Sequence, residues 1–152
     1  MTETIQIFID ADACPVKEET LKVAYRHDLD VYIVSNQWLR MEVGPKVQKI
    51  VVSDGFDAAD DWIAERAGAG AIVITGDIPL AARCLENGAR VLGNNGKAFT
   101  PDNIGMAVSM RDLNRDLRDM GEINGSGKSF SREDRSRFLS ALEECVRRLK
   151  RA

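Results

Sequence analysis

The chain of 152 residues is long enough for one domain with a real core, and its 44% hydrophobic and 30% charged residues carry no signature of disorder. No apolar run approaches the roughly 20 residues of a membrane span, and the acidic Met1-Thr2-Glu3-Thr4 leads straight into a strand pattern instead of a signal peptide, so a cytoplasmic protein is expected. The net charge of −3 divides into −5 over residues 1–100 and +2 over residues 101–152, an acidic body followed by a basic tail.

Ile5-Gln6-Ile7-Phe8-Ile9 reads as a strand stopped by Asp10, and Pro15 falls in the first turn of a helix running to about Arg26. Residues 31–34 and 47–52 give the second and third strands. A helix is expected from about Asp57 to Ala67, then a buried strand at 71–75, a helix at 79–86 and a short strand at 89–92. Such β-branched runs alternating with helices predict an α/β fold. Its sheet is doubly wound and mainly parallel, with about five strands and helices on both faces. Thr100-Pro101 opens a further helix to about Met120, striped by Met106, Met110, Leu113 and Leu117. A glycine-rich linker near 121–129 precedes a last helix capped by Ser131, with Phe138, Leu142, Cys145 and Leu149 on one face. The chain is thus one domain, an α/β core over 1–99 with a C-terminal helical extension over 100–152.

Cys14, Cys84 and Cys145 are too few and too scattered for a disulfide framework or a zinc ribbon, and read as small core residues in a reducing compartment. His27, the single histidine, stands in Tyr25-Arg26-His27-Asp28 at a helix end, where an imidazolium complements the dipole. Without a second histidine, Ser-His-Asp catalysis and His-rich metal sites fall away. Gly125-Ser126-Gly127-Lys128-Ser129 imitates part of a P-loop, but Glu122 occupies the first glycine position and no strand precedes it, so it reads as linker.

Chemistry therefore rests on carboxylates. In an open α/β sheet, ligands bind beyond the carboxyl ends of the strands. Asp10 and Asp12 follow the first strand, Asp54, Asp57, Asp60 and Asp61 the third, and Asp77 the fourth. Like charges gathered there repel unless something neutralises them, and a hard cation such as Mg²⁺ does so with a few carboxylates and retained waters. Each acid also has a plain structural role. Asp12 or Asp77 can cap the helix that follows, and Asp57 can cap its own with Asp60 at the third helical position. Asp60 is the hardest to explain that way, because it aligns with Ile63, Ala64 and Ala67 on the face that should be buried. Asp61 lies one residue round toward solvent, and Asp54 in a loop. Asn36, after the second strand, can donate to a water or phosphate oxygen or simply shape a turn. Arg111 and Arg135 offer bidentate phosphate contacts or stay solvated. Trp38 and Trp62 either stack on bases or pack in the core or an interface.

Asp60-Asp61-x-Ile63-Ala64, followed by a strand and Thr75-Gly76-Asp77, resembles the acidic signature of PIN-like and 5′-nuclease domains. More specifically, Asp10-Ala11-Asp12-Ala13-Cys14-Pro15, Asn36-Gln37, Gly55-Phe56-Asp57-x-Ala59-Asp60 and Asp77-Ile78-Pro79-Leu80-Ala81 are similar to the bacterial YaiI/YqxD family, as is Asp134-Arg135-x-x-Phe138. The resemblance spans the first strand to the last helix and implies a single PIN-like domain. With the strand-end acids, it implies a nuclease acting on RNA or DNA with Mg²⁺ or Mn²⁺. Asp10, Asp60 and Asp77 would be catalytic and hold one ion, with Asp12 and Asp57 reaching it directly or through water. Asn36, Arg111 and Arg135 would meet the nucleic acid. Where 5′-nucleases carry a helix-opening Glu and a second acid after the T-G-D motif, this chain has Ala58 and Pro79, which argues against a second ion. Two alternatives stand beside this reading. One is a phosphatase of the haloacid dehalogenase type using Asp10-x-Asp12, although Cys14 occupies a position where that pattern has Thr or Val. The other is a non-catalytic module binding nucleic acid or protein through a vestigial site.

Overall fold

A computed structural model describes residues 5–53, 55, 57–106 and 130–151. Six strands, β1 (Gln6–Asp10), β2 (Asp30–Ser35), β3 (Val47–Val51), β4 (Ala71–Ile74), β5 (Arg90–Leu92) and β6 (Ala98–Phe99), form one sheet in the order β3-β2-β1-β4-β5-β6. All pairings are parallel except β5–β6. The helices are α1 (Lys17–His27), α2 (Ala58–Arg66), α3 (Ile78–Glu86) and α4 (Arg132–Arg151), with a 3₁₀ turn at Ala11–Ala13.

Successive strand residues face opposite sides of a sheet, and here both sides are apolar, as helices on both faces require. Ile7, Ile9, Val31, Ile33, Ile72 and Ile74 point to one side, where α1 supplies Leu21, Val23 and Ala24 and α4 supplies Phe138, Leu142, Cys145 and Val146. Phe8, Val34, Val73 and Val91 point to the other, where they meet Ile63 and Ala64 of α2 and Leu80, Ala81 and Cys84 of α3. The expected stripe of α4 is the buried one, and Phe138 is fully enclosed; its loss to alanine should cost about 3–5 kcal/mol. All three cysteines are free and buried.

Two features depart from the sequence reading, and a third is one to which it assigned no element. A sixth strand is added, because residues 93–97 turn the chain back on β5, with Gly93 N–H donating to the Lys97 carbonyl at 2.8 Å. The Asn95-Gly96 pair at this turn is a strong hairpin signal, but two strand residues are too few to show alternation. Pro15 lies outside α1, whose N-cap is Val16. Finally, β2 and β3 are parallel neighbours joined by residues 36–46 without a helix; Leu39, Met41 and Val43 of that connection pack on the α1 side of the core in a helix's place.

The two expected caps form. Thr100 and Asn103 exchange side-chain to backbone bonds at 2.9 and 3.2 Å, and residues 104–106 are helical. Ser131 and Asp134 do the same at 3.0 Å in both directions. Both pairs are reciprocal capping boxes. The rest of the helix expected from Thr100, with Met110, Leu113 and Leu117, and the linker near 121–129 lie outside the described residues. Among the described residues, no helix is long and apolar enough to cross a membrane.

Candidate functional site

The strand order reverses between β1 and β4, and the crevice beyond their carboxyl ends is the place an open sheet leaves for a ligand. Asp10 is the last residue of β1, flanked by the ends of β2 and β4. Each flanking end carries a buried hydroxyl, Ser35 on one side and Thr75 on the other. Thr75 Oγ1 donates to Asp10 Oδ2 at 2.7 Å and accepts from the Asp77 N–H at 2.9 Å. Ser35 Oγ donates to Asp12 Oδ1 at 2.6 Å and accepts from the Gln37 N–H at 3.1 Å. A hydroxyl has one proton to give, and in each case accepting a backbone N–H aims that proton at an aspartate. Asp12 also accepts from the Asn36 N–H at 3.3 Å, whereas Asp77 caps α3 by accepting from the Leu80 N–H at 3.0 Å.

Asp60 arrives by a different route. The strand before it, β3, is an edge strand two places away from β1, so a β3 end alone could not reach Asp10. Helix α2 crosses back over β2 and β1, burying Ile63 and Ala64 and turning its first residues toward the crevice. Asp57 sits at the N-cap of α2 in the left-handed region, φ 70°, yet makes no side-chain cap bond. An aspartate tolerates that backbone better than most residues, and its carboxylate is left to the crevice. Asp61 points away and pairs with Arg83 at 2.8 Å.

Asp10, Asp12, Asp57, Asp60 and Asp77 together line one open cavity of about 510 Å³, with Asn36, Ser53 and Asn94. None of the described residues lining it is cationic. The electrostatic cost appears in the carboxyls. Burial pushes Asp60 up, the charges of Asp77, Asp10 and Asp57 push it further, Arg83 pulls weakly the other way, and the result is about 6. Burial also raises Asp10, opposed by the Thr75 hydrogen bond and reinforced by Asp77 and Asp12. The donors are hard carboxylate oxygens, which suit a hard cation. Among the described residues, however, no three carboxylate, cysteine or histidine side chains close on one point as a ready metal cage. An ion in this cavity would therefore take no more than two of these carboxylates directly and draw on water for much of the remainder, an arrangement Mg²⁺ commonly adopts.

Other expected residues are placed elsewhere. Arg135 joins α4 to the start of α1, donating to the Pro15 carbonyl at 2.7 Å and pairing with Glu19 at 3.1 Å, away from the cavity. Arg111 and Asp54 lie outside the described residues. His27 ends α1 as expected, but its ring contacts Glu143 at 2.9 Å and Lys150 at 2.9 Å on α4. Trp62 packs with Phe8 and Tyr32, whereas Trp38 is 67% exposed. Sequence reasoning missed Ser35 and Thr75 as positioning residues, and Ser53 and Asn94 as lining. Asn94 was open to the strand-end rule, since it follows β5; the hydroxyl pair became visible only once β2 and β4 were known to flank β1.

The sequence model described as the uncharacterized YaiI/YqxD family matches residues 8–148. A UPF0178 protein of Parvibaculum lavamentivorans is 60% identical over 146 residues, 96% of each chain. One from Rhodospirillum rubrum is 56% identical over 97% of this chain and 99% of its own, and one from Agrobacterium fabrum is 55% identical over 99% of both. No solved structure matches. The chain belongs to the YaiI/YqxD family, the UPF0178 proteins.

Proposed function

We propose that this family member is a PIN-like phosphodiesterase that hydrolyses RNA or DNA with one Mg²⁺ or Mn²⁺ ion in the cavity of Asp10, Asp60 and Asp77, touched directly by no more than two of these carboxylates and reached by the third through water. The observation that carries the reading is the convergence of these acids from three elements on one cavity that no cation among the described residues lines, which leaves Asp60 at about 6. Such crowding of like charge is costly to maintain in a folded protein and is a mark of functional sites. When bound, a divalent ion there supplies an activated water and neutralises charge developing on a phosphate. The chain's own residues orient and screen. Thr75 and Ser35 fix the Asp10 and Asp12 carboxylates, Asp77 is held by its capping bond, and Asn36 at the rim can donate to a phosphate oxygen.

The test is metal-dependent cleavage of end-labelled single-stranded RNA and DNA by the full chain, beside Asp10→Asn and Asp60→Asn purified in parallel. Weak cleavage with Mn²⁺ or Mg²⁺ that rises with pH, abolished by EDTA and by either substitution, is the expected result. Variants that cleave as fast as the parent overturn it. A second reading, a non-catalytic module that binds nucleic acid, is favoured by the want of a three-carboxylate cage among the described residues; it expects binding without cleavage.

A further inference from the structure

Two residues along the chain from the acidic cavity stands a side chain that its chemistry does not use. Asn36 lines the cavity, and Trp38 is two residues further along the same connection, at most about 7 Å of chain away. A tryptophan ordinarily gains by burial, yet this one is 67% exposed, while Leu39 next to it packs on the core. Its ring is not loose. Lys49 of β3 donates to the Leu39 carbonyl at 3.0 Å, and the same ammonium lies 4.8 Å from the centroid of the indole. A cation over one face holds the ring and leaves the opposite face in water. Two residues along the chain from a cavity that repels phosphate there is thus an exposed aromatic ring with positive charge over one face.

We infer that Trp38, backed by Lys49, is a base-stacking platform that makes an unpaired nucleic-acid strand the ligand of this site. Every base offers a π-face to an indole, so the contact is tolerant of sequence, and the Lys49 charge behind the ring adds a longer-range attraction for the strand's phosphates. In a duplex the base faces are already stacked, so only single-stranded segments or ends can use it. The inference takes its ligand from the nuclease reading, but its test reads binding alone.

Intrinsic fluorescence of the full chain is titrated with a single-stranded oligodeoxyadenylate and with the matching duplex, in EDTA and in Mg²⁺, using the parent, Trp38→Ala, Trp38→Phe, Lys49→Gln and Trp62→Phe. The single strand should quench the parent and Trp62→Phe but not Trp38→Ala. Affinity, read in parallel from the anisotropy of the same strand carrying an end label, should fall roughly tenfold or more in Trp38→Ala, the scale of one lost base–aromatic stack, and recover largely in Trp38→Phe. Lys49→Gln should flatten the dependence on salt. Melting of Trp38→Ala should match the parent, since the side chain is exposed. The inference is overturned by equal affinity of parent and Trp38→Ala, by preference for the duplex, or by no binding in either buffer. It is likewise overturned if sedimentation shows Trp38→Ala dissociating a dimer, because the ring then serves a protein contact. Quenching without any cleavage by the parent leaves the platform standing and defeats the nuclease reading; cleavage unaffected by Trp38→Ala does the reverse.

Discussion

Replacing Asp60 by asparagine removes one charge from a cavity where burial and the charges of Asp77, Asp10 and Asp57 hold that carboxyl at about 6. A carboxyl raised on folding binds its proton more tightly in the folded chain. Folding then takes up a proton between the ordinary value of 3.8 and about 6, and stability falls as pH rises through that window. The shift of roughly two units corresponds to at most about 3 kcal/mol at about 1.36 kcal/mol per unit. Asp60 is only partly buried, and solvent screening reduces the expectation to about 1 kcal/mol. For a chain of this size that is roughly 2–4 °C in Tm. In EDTA at pH 7.5, Asp60→Asn should therefore melt above the parent by about that amount, and the difference should vanish near pH 4, where the parent's carboxyl is also neutral. Circular dichroism melts at pH 4, 5 and 7.5 make the comparison. If the variant melts with or below the parent at pH 7.5, charge crowding at Asp60 is refuted, and with it the main electrostatic argument for a cation.

Millimolar Mg²⁺ or Mn²⁺ should raise Tm by linkage, by about 2.7 kcal/mol at 100 times Kd. Asp77→Asn should remove most of that gain while keeping metal-free stability, because asparagine caps a helix as well as aspartate; Asp77→Ala should lose about 1 kcal/mol besides. An unchanged melting curve across metal concentrations would count against any ion in the cavity. At the α1–α4 contact, burial works to raise Glu143, but hydrogen bonds from His27, Arg147 and Arg26 more than offset it and hold the carboxyl at about 2. A depressed carboxyl stabilises the fold above its ordinary value of 4.5, and that stability is lost as pH falls toward about 2. Glu143→Gln should melt lower than the parent at pH 7 and lose less on acidification, and parallel acid titrations of the two would expose the opposite. At Gly96, φ is +86° and an added Cβ would stand 2.8 Å from the Arg137 carbonyl oxygen. Gly96→Ala should cost more than about 1 kcal/mol, seen as a lower urea midpoint, because both the backbone strain and the contact with α4 are unfavourable.

The alternation of Ile7, Phe8 and Ile9, the capping residues Thr100 and Ser131, and the spacing of Phe138, Leu142 and Cys145 are local patterns. They fix which side of each element is buried whatever the neighbours are, so the first five strands, the helices between them and the two-faced core were legible from sequence. The strand-end rule likewise placed Asp10, Asp12 and Asp77 at one edge, and the packing of Ile63 and Ala64 turned Asp60 inward. Strand order is not local, and it decided the rest. Because β3 is an edge strand, Asp60 meets Asp10 only through the crossing of α2. Because β2 and β4 flank β1, Ser35 and Thr75 become the hydroxyls that aim Asp12 and Asp10. Because α4 packs on α1, Arg135 is tied to Pro15 and Glu19 instead of a phosphate. A residue's type and spacing determine which chemistry it can offer; which partner it offers it to is set by contacts between segments far apart in the chain, and those exist only once the core has assembled.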